Sequence, residues 1–455
     1  MREQPFWHIS DKADYPILRG RRNADAVVVG GGLSGVNTAY WLSKAGLRVI
    51  LLEAETLGSG ASGRSAGLVT QTSGFGYSNM ESRFGAEVCQ AYTQTQNAAM
   101  QSLRELAAER DIQSDWRDMD ASIIISDERE KAALEKEYGA MTRAGLAASL
   151  TQATQCPLPS LLSIQIHSQA TMHPYHYLRS LAQKSVGLGL SVYEHSRVIA
   201  METNLVYTER GSVLAPYLII ATGYPVINTP GWYFTKLYQR QSHLLPVENI
   251  QAFDGIYLDA GGCFAMRRHR EGMLFHQIEG RVGTRVRESP LEVFAKEYAH
   301  GLHQSICHDA YRGIDTYSAD GLPYIGAYSA KTPNIFVATG FGHRGIVHSV
   351  LAAQAISAKI LGLPSEGYPI YSGQRKNQSV LRAELKTALS IARKYVQGAL
   401  RIRAPRCSHM GCKLVYRPRT KTWECPCHGS LFDDIGRVEN APAVRDTPVR
   451  HKRKG

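Results

Sequence analysis

The stretch Asp25-Ala26-Val27-Val28-Val29-Gly30-Gly31-Gly32-Leu33-Ser34-Gly35 decides the fold of this chain. An apolar run of strand length and composition enters a G-x-G-x-x-G turn. Residues 34–45 then carry Val36, Ala39, Tyr40 and Leu42 at helical spacing, which predicts a helix with one buried face. A second apolar strand, residues 47–52, ends in Glu53. Within such a unit each glycine has its own task. Gly30 makes the tight turn, Gly32 lets the backbone approach a pyrophosphate, and Gly35 lets the helix pack on the strand. The helix N-terminus faces the phosphates, because its free N–H groups and dipole favour negative charge. Glu53 falls eighteen residues after Gly35, placed to accept a hydrogen bond from an adenosine ribose and to disfavour a 2′-phosphate.

Downstream, Gly58-Ser59-Gly60-Ala61-Ser62-Gly63-Arg64-Ser65-Ala66-Gly67 is a second small-residue loop, which lets backbone crowd against a flat or charged ligand. Leu218-Ile219-Ile220-Ala221-Thr222-Gly223 is a third apolar strand ending in glycine. The segment 334–345, NIFVATGFGHRG, follows Asp320-Gly321-Leu322-Pro323-Tyr324-Ile325-Gly326. Together these motifs resemble the D-amino-acid oxidase and glycine oxidase superfamily, from about residue 24 to about residue 365. The resemblance implies an α+β fold in which a Rossmann-like FAD-binding domain is interleaved with an antiparallel-sheet substrate domain. It implies non-covalent FAD held by Gly30, Gly32, Gly35, Glu53, Ala61, Ser62, Arg64, Val198, Gly223, Gly340, Gly342 and Gly345. Val198 would meet the adenine through its backbone, and the last three glycines would let the chain pass close to the isoalloxazine. It further implies oxidation of a small amine or amino acid to an imine.

The substrate roof is expected from strands at 121–125, 257–259, 263–266 and 273–276, with residues 267–272 as a hairpin turn. Family members often hold a substrate carboxylate with an Arg on this roof; Arg240, Arg267 and Arg268 are the candidates, against the ordinary reading of surface charges. His343 and Arg344, in the flavin-closing loop, are the catalytic candidates.

A different chemistry occupies the last fifty residues. Cys407-Ser408-His409 and Cys425-Pro426-Cys427-His428 offer two thiols and two imidazoles at metal-ligand spacing, which suits zinc as well as iron. Cys412 and Cys427 add one further cysteine to each half. The pattern CSHMGC…CPCHGS resembles the Rieske type, in which one iron takes two Cys and the other two His. The resemblance implies a [2Fe–2S] cluster on Cys407, His409, Cys425 and His428, and a Cys412–Cys427 disulfide strapping the loops. It implies a hydroxyl hydrogen bond from Ser430 toward the cluster. High-potential relatives carry Tyr where this chain has Phe432, so a lower potential is expected.

Residues 366–374 read as a linker. Residues 377–398 read as an amphipathic helix with Val380, Leu385, Leu389, Ile391 and Val396 as apolar contacts and Gly398 as its C-cap. Only eight residues separate Gly398 from Cys407, so the strands that carry the cluster loops in relatives have no room. Short strands at 413–416, 420–424 and 430–432 remain. A segment of about fifty residues does not fold without a metal, disulfide or partner surface, so the helix, the flavin body or a second subunit must serve as its base. The expected organisation is an extension at 1–23, the flavin unit at 24–371, a linker helix at 372–400 and the cluster segment with its basic tail at 401–455.

Charge divides unevenly. From Arg375 onward nineteen Lys and Arg face six Asp and Glu, a balance of +13; the chain total is +12, leaving −1 for residues 1–374. Such a tail suits an acidic redox partner, beside the plainer reading of a solvated surface. No nucleic-acid module accompanies it. No apolar stretch has the length of a membrane span, and the N-terminus lacks the apolar run of a signal peptide, so a cytoplasmic protein is expected. Cys89, Cys156, Cys263 and Cys307 are scattered and read as buried thiols. The expected activity is amine oxidation with electrons leaving through the cluster. Three other readings stay open: a reductase fed through the cluster, a flavin oxidase with a vestigial or zinc-binding tail, and a non-enzymatic electron carrier.

Overall fold

Six strands form the sheet that the first motif anticipates, in the order Tyr324–Ser329, Thr332–Thr339, Tyr217–Gly223, Ala26–Val29, Val49–Leu52, Ser191–Tyr193. The first pair is antiparallel and every other neighbour is parallel. Ala26–Val29 is buried at all four positions, which is why it reads as a continuous apolar run. The helix Leu33–Lys44 packs against Pro174–Gly187 and Gly345–Leu361, bringing three distant parts of the chain over one sheet face. This computed structural model describes residues 6–7, 14–152, 160–248, 252–284, 306–307, 311–364, 367–399, 404–418 and 420–449.

The substrate roof is a ten-stranded sheet centred on Leu237–Glu248, which pairs antiparallel with both Gly272–Arg281 and Tyr311–Ser318. The expected strands at 121–125, 257–259 and 273–276 lie within it. The expected turn at 267–272 is shorter than read. Arg267, Arg268 and His269 belong to the strand Phe264–His269, and His269 pairs with Gly272. The polar run from Arg267 to Glu271 hid a strand end whose first arginine is buried. A third sheet joins Gly20–Asn23 to Gly211–Leu214, so the end of the expected N-terminal extension is built into the flavin unit.

The linker helix spans Gln378–Ala399, and Asn377 caps it by accepting from Val380 N–H at 2.7 Å. Its orientation differs from expectation. Val380 is buried and Ile391 packs on the cluster segment, but Leu385, Leu389 and Val396 are 60%, 60% and 62% exposed. Gly398 lies inside the helix, not at its cap. A Cβ there would lie 2.8 Å from Lys413 Cβ, so the glycine permits close crossing. Among the described residues, no helix is long and apolar enough to cross a membrane.

The cluster segment is a four-stranded antiparallel sheet: Val415–Arg417, Thr422–Glu424, Leu431–Phe432 and Val438–Asn440. The first three fall near the expected strands; the fourth was not anticipated. The flavin body packs directly against this sheet and its loops. Gly283 comes so close that a Cβ would lie 2.5 Å from Pro426 Cα, and Gly429 so close that one would lie 2.4 Å from Gln239 Oε1. Glu424 organises this interface. It is 2% exposed and accepts from Gln241 at 3.0 Å and from Gly283 N–H at 3.1 Å; it pairs with Arg312 at 3.4 Å and Arg417 at 2.9 Å. Glu424→Ala removes the carboxylate from two guanidinium groups within a buried contact. It is expected to cost about 3–5 kcal/mol of stability, read as a lower denaturation midpoint, with Glu424→Gln milder.

Candidate functional site

The nucleotide end rests on the first turn. Gly30 has φ +111°, and a Cβ there would lie 2.6 Å from Ala221 O; at Gly35 it would lie 1.8 Å from Gly30 O. Both glycines are demanded by backbone packing. Gly32 is different, because a Cβ there would meet only Ser62 Oγ, at 3.0 Å. The space above Gly32 is therefore an open cradle at the helix N-terminus, where Leu33 N–H donates to Ser62 Oγ at 2.9 Å. These features fit a dinucleotide pyrophosphate. Glu53 accepts from Gly31 N–H at 2.6 Å and Glu55 N–H at 2.9 Å, and burial raises its pKa against these donors. Arg64 turns back onto its own loop, donating to Ser59 O and Gly60 O, with Ala61 and Ser62 on the same short helical turn. Val198 opens the strand Val198–Met201 and is buried.

At the flavin-closing end, Gly223, Gly340 and Gly342 all have positive φ. A Cβ at Gly340 would lie 3.2 Å from Ser318 Cβ, and at Gly342 3.2 Å from the Tyr317 ring; Gly345 starts the helix Gly345–Leu361 with nothing near it. The two catalytic candidates part company here. His343 Nδ1 lies 3.2 Å from Asp315 Oδ2, its Nε2 bonds the Tyr317 hydroxyl, and its ring stands edge-on to His276 at 5.1 Å. Burial holds His276 well below the ordinary imidazole pKa, with the neighbouring His343 adding to it. Arg344 points elsewhere, donating to Tyr92 Oη at 2.8 Å and Gly321 O at 3.3 Å. Asp315, Tyr317 and His276 carry no motif. They share a site only through strand pairing, in which Asp315 stands opposite Arg240 and Tyr317 opposite Tyr238.

The three roof arginines also separate. Arg240 donates to Glu279 O at 2.8 Å and Arg268 pairs with Asp254 at the surface. Arg267 is buried and donates to Ala66 O and Arg268 O, leaving Nη2 buried and without a partner among the described residues. Of the scattered thiols, Cys89 is buried and Cys263 is partly exposed; Cys156 lies outside the described residues, and Cys307 is described only as part of a strand.

The cluster loops bring all six Cys and His residues together. Cys407 and Cys425 are in sulfur hydrogen-bond contact, with the Ser430 hydroxyl against Cys407. The His409 and His428 rings stand 5.0 Å apart at 87°. Both Nδ1 atoms are buried and unpartnered among the described residues, while His409 Nε2 bonds Asn228 Oδ1 at 2.7 Å. His409 thus has the pattern of a ligating imidazole, one nitrogen free for metal and the other oriented by a hydrogen bond, while both ring nitrogens of His428 are buried and unpartnered among the described residues. Burial lowers His409 to about 4 and His428 to about 3, which keeps both rings in the neutral, ligating form. These residues fit a [2Fe–2S] cluster.

One expectation fails. Cys412 and Cys427 are free thiols, so the predicted disulfide is not formed. The Cys412 sulfur is shared in hydrogen bonds with both Cys425 and Cys427, and the three sulfur atoms lie within 4.8 Å of one another. A sulfur held between two neighbours is not committed to one.

Sequence reading also missed the flavin-body residues that touch this site. Tyr224 and Phe234 stand edge-on to His428 at 6.4 and 6.1 Å, and Asn228 holds His409. The only available signal was position, since Tyr224 follows Gly223 directly.

Comparison with known proteins agrees with both halves. The model of the FAD dependent oxidoreductase family (DAO) matches residues 25–359, and that of the Rieske [2Fe-2S] domain matches residues 371–450. The putative Rieske 2Fe-2S iron-sulfur protein YhfW of Bacillus subtilis is 24% identical, covering 97% of this chain and 96% of its own. Gamma-glutamylputrescine oxidoreductase of Escherichia coli is 27% identical over 46% of this chain and 51% of its own length. In fold, glycine oxidase from Geobacillus kaustophilus superposes with a TM-score of 0.67 at 20% identity, over 78% of this chain and 100% of that one. The chain belongs to the DAO family of FAD dependent oxidoreductases, carries a C-terminal Rieske domain, and has FAD and a [2Fe–2S] cluster as its cofactors.

Proposed function

We propose that this protein oxidises the carbon–nitrogen bond of a small amine or amino acid and sends the electrons out through its Rieske segment. The observation that carries this reading is direct docking of the cluster loops on the flavin body, through Asn228–His409 and the Tyr224–His428 contact. Cys407 and Cys425 would hold one iron, and His409 and His428 the other. The glycine cradle with Ser62, Glu53 and Val198 would hold the dinucleotide, and Gly340, Gly342 and Gly345 the flavin end. When bound, FAD supplies two-electron chemistry at the substrate C–H bond and the cluster supplies one-electron transfer.

The chain's own part is positioning and proton handling. An amine must be neutral to lose hydride, and loss of that hydride leaves an iminium ion, the protonated imine, which water hydrolyses. In this reading the Asp315–His343–Tyr317 set would take the ammonium proton, while His276, kept neutral by burial, packs edge-on against His343. Arg344 is a structural tie to Tyr92 in this reading, not a catalytic residue. The unpaired Nη2 of Arg267 favours a substrate bearing a carboxylate. The basic tail suits an acidic one-electron acceptor, and the unbridged Cys412 and Cys427 suit a reducing compartment such as the cytoplasm.

Anaerobic mixing with a panel of amines and amino acids tests the reading. One substrate class is expected to bleach the yellow flavin and then produce the reduced-cluster paramagnetic signal. Bleaching only by a reduced protein donor reverses the direction of flow, and no bleaching by either removes the enzyme.

A further inference from the structure

Tyr224, at the end of a flavin-body strand, stands against the cluster loops through His428. It follows directly on the strand Tyr217–Gly223, and its backbone is fixed on both sides by Thr222: Tyr224 N–H donates to Thr222 O at 2.9 Å, and the Thr222 hydroxyl donates to Tyr224 O at 2.6 Å. The side chain is 1% exposed, with its ring edge-on to His428. Neighbouring buried tyrosines have found acceptors: Tyr328 donates to Ile227 O at 2.7 Å and Tyr233 to Tyr328 O at 3.3 Å. The Tyr224 hydroxyl alone in this group is buried and without a partner among the described residues. A phenol hydroxyl is a hydrogen-bond donor at neutral pH.

A buried donor with no acceptor is costly, and the sulfur of a cluster held in part by His428 supplies one. We propose that the Tyr224 hydroxyl donates a hydrogen bond to a sulfur of the bound cluster, so that the flavin body itself tunes the potential of the cluster. This rests on the reading of Cys407, His409, Cys425 and His428 as the iron ligands. Hydrogen bonds to cluster sulfur draw off negative charge and favour the reduced state. The loops do not offer an equivalent of their own at position 432, where Phe432 has no hydroxyl, and the Ser430 hydroxyl lies against Cys407. The potential thereby depends on docking: a cluster segment lifted off the flavin body is a poorer electron acceptor than a seated one.

The test uses the full-length protein with its cofactors. Iron content and the reduced-state paramagnetic signal of the untouched protein come first; if either is missing, the cluster reading itself fails. With the cluster present, Tyr224→Phe is expected to weaken reduction about tenfold, a midpoint lower by about 59 mV for one electron. An exchangeable proton coupled to the reduced cluster is expected to vanish from the pulsed resonance spectrum. An unmoved midpoint and an unchanged proton coupling, at full iron content, overturn the inference. If Tyr224→Phe does not retain iron, 3-fluorotyrosine at position 224 keeps the shape and strengthens the donor. A raised midpoint then supports the inference and an unchanged one overturns it.

Discussion

Gly32→Val is expected to fold normally and to purify colourless. A Cβ at position 32 meets only the Ser62 hydroxyl, at 3.0 Å, the end of a side chain able to turn away. The rest of a valine side chain would fill the cradle in front of the Leu33 N–H group, the space assigned to the pyrophosphate. Added FAD should therefore raise the unfolding midpoint of the untouched apoprotein but leave that of the variant where it was, since only ligand bound to the folded state stabilises it. Gly35→Val supplies the contrast. Its Cβ would lie 1.8 Å from Gly30 O, a backbone atom without freedom to move, so this variant is expected to lose the fold along with the colour. A yellow Gly32→Val protein with the usual FAD content would remove the pyrophosphate from this loop.

The difference between these two glycines also shows what the sequence made legible. The strand–turn–helix unit is local, so its residues announced both its shape and its ligand before any contact was known. The same held for the paired Cys and His loops. What stayed hidden was set by long-range register. Asp315, Tyr317 and His276 reach His343 only because Leu237–Glu248 pairs on both sides, an arrangement with no signature in any single segment. The linker helix failed differently. Its periodicity defined an apolar stripe but not which face turns inward, and the inward face is set by Val380, Thr387, Ile391 and the close crossing at Gly398. The contacts that seat the cluster segment were equally hidden, since Glu424 reaches Gln241, Gly283 and Arg312 of the flavin body across long sequence separations.

That same interface is what allows the two halves of the proposed cycle to be separated by one substitution. Cys425→Ser replaces a fully buried sulfur at the centre of the cysteine group. It is expected to abolish the reduced-state paramagnetic signal and to lower iron content to background. The docking contacts through Glu424, Gln239 and Gly283 do not involve this side chain, so the segment should stay seated. Asp315, His343 and His276 contact one another at the flavin-closing loop, on elements other than the cluster loops. A substrate found in the amine panel should therefore still bleach the flavin of Cys425→Ser in a single turnover, at nearly the rate of the untouched protein. Delivery to a one-electron acceptor should fall by at least about a hundredfold, as expected when an essential metal ligand is lost. Equal losses in both half-reactions would tie the cysteine to the fold of the flavin site. Zinc in the untouched protein, with no paramagnetic signal, would end the electron-exit scheme and leave a flavin oxidase whose C-terminal segment only braces the roof.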